Sequence, residues 1–229
     1  MKLGIMQPYF LPYIGYWQLI NAVDKYVIYD DVNYIVRGWI NRNNILLDKQ
    51  RHLFTFALSG ASRNKLINEI TIYEKQESLI EIFANAYKKA PFFDNVFPLV
   101  KEIIEYNDRN LARFIGNSIM RLANYLGLKT EFIYSSQVKK DSSLKGQKKI
   151  INICSILQAT EYFNAIGGIE LYTKGDFEAN NIKLRFLKTQ LIEYKQFDNV
   201  FVPNLSILDV LMFNSVEEVK RMLDKCEVL

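Results

Sequence analysis

Apolar and polar positions change period several times along the chain, and each change marks an element. The run KLGIM (2–6) is short and apolar and stops at Gln7-Pro8, the pattern of a buried strand. From Pro12, a residue suited to the first turn of a helix, Tyr13, Trp17, Leu19 and Ile20 recur at helical spacing. Gly15 within that helix carries a cost that is tolerated where another group approaches closely. YVIYDDV (26–32), dense in β-branched and aromatic residues, predicts a second strand. Strand, helix and strand within about thirty residues is the size of a parallel βαβ unit.

The pattern then shifts. WINRNNILLDKQRHLFTFAL (39–58) alternates around an Asp48-Lys49 turn, and GASRNKLINEITI (60–72) adds a short strand, so a β insertion is expected over about 39–75. From 77 to 127 the three-and-four spacing of SLIEIFANAYKKA and LARFIGNSIMRLANYL predicts a helical segment. Pro91 breaks it, and Gly127 stands where a C-cap belongs. Strand and helix then alternate: KTEFIYSS, QKKIINICSILQA, TEYFNAIGG, IELYTKGDFEANN and IKLRFLKT, followed by C-terminal helices in LSILDVLMF and VEEVKRML. The expected architecture is α/β: an open, mostly parallel, Rossmann-like sheet with a β-hairpin insertion and a mid-chain helical segment. One domain over 1–229 is expected, since no repeat, low-complexity stretch or linker interrupts the pattern.

Composition narrows the function classes. The chain is 49% hydrophobic and 24% charged, ordinary for a globular protein, and its 229 residues can bury a core without disulfide or metal. A net charge of +4, spread along the chain, excludes the basic stripe of a nucleic-acid binder. The one local excess is Lys139, Lys140, Lys145, Lys148 and Lys149. It reads as a solvated face, with a phosphate-rich ligand as the sharper alternative. Cys154, in the apolar run IINICSIL, reads as a core thiol, and Cys226 lies near a C-terminus expected to fray. Two such cysteines, no signal-peptide pattern and no apolar run of about 18 residues lead to an expected cytoplasmic location without membrane insertion. The single histidine, His52, falls in the hairpin; a His/Cys metal cluster is excluded by count.

Ligands of open α/β sheets bind outside the carboxyl ends of the strands. Polar, special and rigid residues collect at that predicted rim. Gln7, Pro8, Tyr9 and Tyr13 follow the first strand; Asp30 and Asp31 end the second, with Arg37, Asn41 and Arg42 just beyond; Asn164, Gly167 and Gly168 end TEYFNAIGG. The two prolines and four aromatics of MQPYFLPYIGY (6–16) are expected to wall one side of a crevice. Adjacent residues of a strand face opposite ways, so Asp30 and Asp31 are not expected to act as one dyad. Their open roles are general base, ligand of a phosphate-bound Mg²⁺, hydrogen bonding to a hydroxyl, or a salt bridge to Arg37. Arg37 and Arg42 suit planar recognition of carboxylate or phosphate. NAIGG can offer backbone N–H groups to an anion. Ser206 and Asp209 fit the start of a helix.

IMQPYFLPYIGYWQLINAVDKYVIYDDVNYIVRGWINRN closely resembles the opening of the WbqC-like family. Blocks similar to SRNKLINEITI, ICSILQATEYFNAIGGIELY and FVPNLSILDVLMFNS follow in the family's order, so the resemblance covers essentially the whole chain. The family's characteristic positions here are Gln7, Pro8, Tyr9, Pro12, Tyr13, Gly15, Asp30, Asp31, Arg37, Gly38, Asn41, Arg42, Gly167, Gly168, Ser206 and Asp209. Asn164-Ala-Ile-Gly-Gly departs from the Ser-Gly-Pro-like turn frequent in relatives. The resemblance implies a protein of O-antigen or other surface-polysaccharide biosynthesis, described as a transferase of glycine or another aminoacyl group to an amino sugar. On that implication Asp30 or Asp31 is the base, and Arg37, Arg42 and the glycine amides hold a nucleotide diphosphate. The partners would be a nucleotide-linked sugar and an aminoacyl donor or carrier protein. No tightly bound cofactor is expected, and Mg²⁺ only with a phosphorylated ligand. The alternatives are a nucleotide-binding protein of nucleotidyl-transfer type, where the absence of paired histidines near the first helix argues against adenylyl transfer but not against nucleotide binding, and a non-catalytic binding subunit.

Overall fold

A computed structural model describes residues 1–73, 76–197 and 200–229. Lys2–Met6 (β1) is ended by Gln7-Pro8, and Ile14–Asn21 (α1) leads into Lys25–Ile28 (β2). Arg42–Leu47 (β3) and Gln50–Thr55 (β4) form the hairpin. Its turn residues Asp48 and Lys49 both take positive φ, 49° and 63°, as a tight two-residue hairpin turn requires. Leu58–Ser59 (β5) pairs with Thr71–Ile72 (β6). Three helices follow, Glu77–Tyr87 (α2), Phe93–Ile104 (α3) and Leu111–Tyr125 (α4), the last ended by Gly127 at φ 67°. The remainder is Glu131–Tyr134 (β7), Gly146–Ile156 (α5), Glu161–Ala165 (β8), Lys174–Glu178 (α6), Lys183–Thr189 (β9), Ile207–Phe213 (α7), Val216–Leu223 (α8) and Cys226–Val228 (β10).

The central sheet has the order β10-β9-β8-β1-β2-β7. All neighbours pair parallel except β10, which lies antiparallel to β9. This is the open, mostly parallel, Rossmann-like α/β sheet of the sequence reading. The chain runs outward from β1 through β2 to β7, then restarts at β8 on the other side of β1. The order therefore reverses between β1 and β8, which makes their carboxyl ends the topological switch point. Alternation sorts the core into two layers. Leu3, Ile5 and Val27 pack with Ile153, Cys154 and Phe177 of α5 and α6. Tyr26 and Ile28 face the larger cluster, which includes Trp17 of α1, the hairpin and the later helices.

Several boundaries differ from the pattern's prediction. β2 ends at Ile28 rather than running through YVIYDDV, so Asp30 and Asp31 lie in the loop beyond it. The strand expected across GASRNKLINEITI is two residues long, preceded by a 3₁₀ turn at Ile67–Glu69. The expected end of the insertion at 75 lies outside the described residues. IELYTKGDFEANN is not one helix: Ile166–Leu171 is 3₁₀ and only Lys174–Glu178 is α-helical. The C-terminus does not fray but adds β10 to the sheet, because β9 otherwise presents an unpaired edge.

Candidate functional site

The loop after β1 is fixed from three sides. Asn43 of β3 donates to Leu11 O at 2.7 Å, Ser206 Oγ donates to the same oxygen at 2.7 Å, and Phe10 N–H donates to Ile40 O at 3.0 Å. Leu11 itself sits at φ 47°, a conformation that a non-glycine residue adopts only when its surroundings hold it there. Tyr16 donates its hydroxyl to Gln7 O, and its ring lies 5.6 Å from that of Tyr9. Tyr13 folds back over Gly15, where a Cβ would come within 2.5 Å of the Tyr13 ring and 2.7 Å of Thr189 Oγ1. Gly15 is thus a close-approach glycine.

Between this loop and the hairpin opens a cavity of about 360 Å³. Its walls are the rings of Tyr9, Tyr13 and Trp39 with Pro12, and its polar groups are Asn43, Asn44, Asn204 and the Arg51 guanidinium. Arg51 donates to Pro203 O at 2.6 Å, which holds the guanidinium at the edge of the cavity. Asn43 is fixed, donating to Leu11 O and accepting from Asn44 N–H. The expectation that the first-loop aromatics wall a crevice therefore has a counterpart in Tyr9 and Tyr13, with Pro12, whereas Tyr16 is buried in the core and Phe10 packs on Phe54 and Phe56 of the insertion. Trp39, Asn43, Asn44, Arg51 and Asn204 were not singled out. Trp39 and Asn43 stand in the block that resembles the family's opening and Asn44 directly follows it, but Arg51 looks like any charge on an alternating strand, and Asn204 comes from far along the chain.

Asp30 and Asp31 are separated. Asp30, 2% exposed, accepts from Ser136 N–H at 2.9 Å and Ser136 Oγ at 2.6 Å, and from Asn68 at 3.4 Å. It ties the carboxyl end of β2 to that of β7 and to the insertion. Asp31 Oδ2 pairs with Lys140 at 2.7 Å and Lys149 at 3.2 Å. Lys149 also donates to Asp31 O and lies 5.1 Å above the Tyr29 ring. Burial pushes the Asp31 carboxyl up, but the hydrogen bond from Lys140, the nearby Ser135 hydroxyl and the charges of Lys149 and Lys140 outweigh it, and the carboxyl sits below its ordinary range. Asp31 Oδ1 is buried and has no hydrogen-bond partner among the described residues. The pairing with Arg37 held open from sequence does not occur. Two of the five lysines read as a solvated face instead turn inward, because a buried carboxylate needs cationic partners.

The remaining rim residues are dispersed. Arg37 is exposed at φ 61° and does not line the cavity. Asn41 is structural in its contacts, accepting from Tyr34 OH at 2.8 Å and donating to Phe56 O at 2.8 Å. Arg42 donates to Gly38 O and stacks under Trp39 at 5.6 Å. Asn164 accepts from Ala165 N–H and lies against Gly168, where a Cβ would meet its carboxamide at 2.8 Å; Gly167 is open. Ser206 caps α7 by accepting from Leu208 N–H. Asp209 completes no cap; it is fully buried and accepts from Tyr87, Tyr194 and Gln196. Burial raises its pKa despite those bonds. His52 is exposed on β4. Cys154 is a buried core thiol whose pKa burial pushes up to about 12, which removes it as a thiolate nucleophile. Among the described residues no group of three His, Cys, Asp or Glu side chains could hold a metal, and no helix is long and apolar enough to cross a membrane.

Residues 7–221, from the first-loop glutamine into α8, match the family model of the WbqC-like protein family. The chain belongs to the WbqC-like family. It is also similar to "Uncharacterized protein Rv1507c" of Mycobacterium tuberculosis (strain ATCC 25618 / H37Rv), 28% identical over 232 residues, 98% of each chain. No solved structure matches it. The matched range contains both the cavity of this WbqC-like chain and its Lys140–Asp31–Lys149 cluster.

Proposed function

We propose that this WbqC-like protein transfers glycine or another aminoacyl group to the amine of a nucleotide-linked amino sugar for a surface polysaccharide such as O-antigen. The supporting observation is the 360 Å³ cavity, where aromatic faces, carboxamides and one guanidinium converge. Aromatic rings suit the apolar faces of a sugar, carboxamides its hydroxyls, and a guanidinium a phosphate. In the reaction the amine nitrogen attacks the donor's acyl carbonyl, the amine loses a proton, and the donor's leaving group departs with a proton. Of the two candidate bases Asp31 alone keeps an oxygen, the buried Oδ1, without a hydrogen bond, since both oxygens of Asp30 accept; Asp31 does not line the cavity, and the role of proton acceptor requires Oδ1 to be uncovered when substrate binds. Gln7, the exposed Gly167 and Arg37 are assigned to the outer part of the substrate. A Mg²⁺ ion enters only with a phosphorylated ligand.

A second reading, a binding subunit without catalysis, is favoured by the engagement of Asp30 and by the two lysines that hold Asp31. A thermal-shift panel of nucleotides, nucleotide-linked amino sugars and aminoacyl donors separates the two. A ligand at about a hundred times its Kd stabilises by roughly 2.7 kcal/mol. A nucleotide-linked amino sugar should raise the melting temperature of wild type, and Arg51→Ala should lose most of that gain. Acyl transfer with the same sugar then decides for the enzyme, and stabilisation without transfer decides for the binding subunit. No shift with any nucleotide sugar sinks both.

A further inference from the structure

The loop between Asn33 and Arg42 lends Trp39 to the cavity wall and, beside it, presents an exposed surface of its own. Gly38 N–H donates to Ile35 O at 3.0 Å and closes a turn over Ile35–Gly38, with Arg37 in the left-handed region at φ 61°. The turn is anchored at both ends. Tyr34 is buried, with its hydroxyl on Asn41 and its N–H on Lys65 O, and Ile40 is fully buried. Between these anchors Ile35, Val36 and Trp39 are 51%, 53% and 48% exposed. A loose loop would turn such side chains inward; a closed and anchored turn holds them out.

The surroundings are basic. Asn33 donates to Arg63 O and Tyr34 N–H to Lys65 O, so the segment 60–66 runs beside the turn. Residues 33–42 and 60–66 carry Arg37, Arg42, Arg63 and Lys65, against which the carboxylate of Glu69, accepting from Leu66 N–H at 2.8 Å, leaves an excess of positive charge. Arg37, Arg63 and Lys65 are exposed. The patch therefore combines an apolar tip, a half-exposed tryptophan and an excess of positive charge.

We propose that this turn docks the protein on the surface of an anionic lipid bilayer. Ile35, Val36 and Trp39 enter the interface between headgroups and acyl chains, where Trp partitions well, and Arg37, Arg63 and Lys65 meet lipid phosphates. The docking is peripheral and involves no spanning segment. A second copy of the chain fits the patch poorly. A two-fold contact would set Arg37 and its neighbours against their own copies, and three half-exposed side chains fall far short of the roughly 800 Å² per partner of a stable interface. Shallow insertion needs no such area. This inference stands without the transfer reading: none of its steps uses the reaction, and of its three cations only Arg37 is also assigned to substrate there, while Arg63 and Lys65 are not.

Phosphatidylcholine vesicles with and without phosphatidylglycerol test it, by co-sedimentation and by tryptophan emission. The chain has two tryptophans, and Trp17 is fully buried, so an emission shift reports Trp39. The expected result is binding to the phosphatidylglycerol vesicles with a blue shift. It should weaken as salt rises from about 0.1 M to 1 M and the Debye length falls from about 10 Å to 3 Å. The double variant Ile35→Asp/Val36→Asp, both sites being exposed, should keep the wild-type melting temperature and lose about tenfold or more in vesicle binding. Indifference to phosphatidylglycerol, or full binding by the double variant, overturns the proposal. So does binding of polyglutamate without vesicle binding, which assigns the patch to an acidic protein. Concentration-dependent self-association abolished by the double variant overturns it as well, assigning the patch to a second copy.

Discussion

Asp30 and Asp31 are neighbours in sequence with opposite fates, and the difference is one of partners. Asp30 accepts from neutral donors, Ser136 and Asn68, whereas Asp31 is held between two ammonium groups whose side chains are 5% and 11% exposed. Replacing Asp31 by Asn leaves Lys140 and Lys149 without their counter-charge, and breaking a buried pair in this way costs about 3–5 kcal/mol. The pH dependence has a definite sign. Because the native carboxyl lies below its ordinary range, its contribution is present above about pH 4 and is lost as pH falls through the depressed native value. Urea denaturation of wild type and Asp31→Asn should show a large gap at neutral pH that narrows in acid. A constant gap down to pH values well below the ordinary carboxylate range would show that Asp31 is not the linked group. Strand alternation led to the expectation that the two aspartates part, but they part in the loop beyond β2, for the different reason that each finds its own partners there, and the identity of those partners was not legible. Lys140 and Lys149 lie more than a hundred residues away and read as part of a solvated lysine run.

At the scale of elements, α1 shows how a locally unfavourable residue is explained by what packs on it. Gly15 is near the start of a helix, where alanine would be better by about 1 kcal/mol if nothing else were present. The Tyr13 ring and Thr189 fill the place of its Cβ. Gly15→Ala should therefore destabilise by roughly 1–3 kcal/mol, typical of overpacking, instead of stabilising. It should also turn Tyr13 away and weaken the ligand-induced shift proposed for the cavity. An unchanged or raised melting temperature in Gly15→Ala would show that the ring yields without cost. The strands, the hairpin with its Asp48-Lys49 turn and the long helices were readable because each has a clear period. β10 was not, because three residues at a chain end carry no period, and only the open edge of β9 gives them a partner. The segment 169–181 was misread as one helix, since 3₁₀ turns share its spacing of apolar residues over a few positions.

For the molecule as a whole, the sheet order governs where chemistry can occur and where the protein must protect itself. The reversal between β1 and β8 sets the switch point at their carboxyl ends; the loop after β1 carries the aromatics that wall the cavity, whereas no residue of the turn directly after β8 lines it. The other end of the sheet is sealed by β10, through which Leu229 also exchanges backbone hydrogen bonds with Phe186. Removing residues 226–229 uncovers β9 and leaves a strand ready to pair with another chain. The truncated protein should melt several degrees lower and aggregate in a concentration-dependent way by light scattering. A soluble truncation with an unchanged melting temperature would show that β9 needs no cover.

By itself the sequence determined the alternation of strands and helices, the hairpin turn, the core character of Cys154 and the gathering of Gln7, Pro8, Tyr9 and Tyr13 after a buried strand. These follow from local period and backbone preference, which act over a few residues. The tertiary structure alone decided that Arg51 and Asn204 join those aromatics around one cavity, that Asp31 is held by lysines from the second half of the chain, and that Asp209 serves Tyr87 and Tyr194 instead of a helix cap. Each of these is a contact between segments far apart in sequence. Such contacts are selected by which buried polar group needs which partner, and no local pattern records that choice.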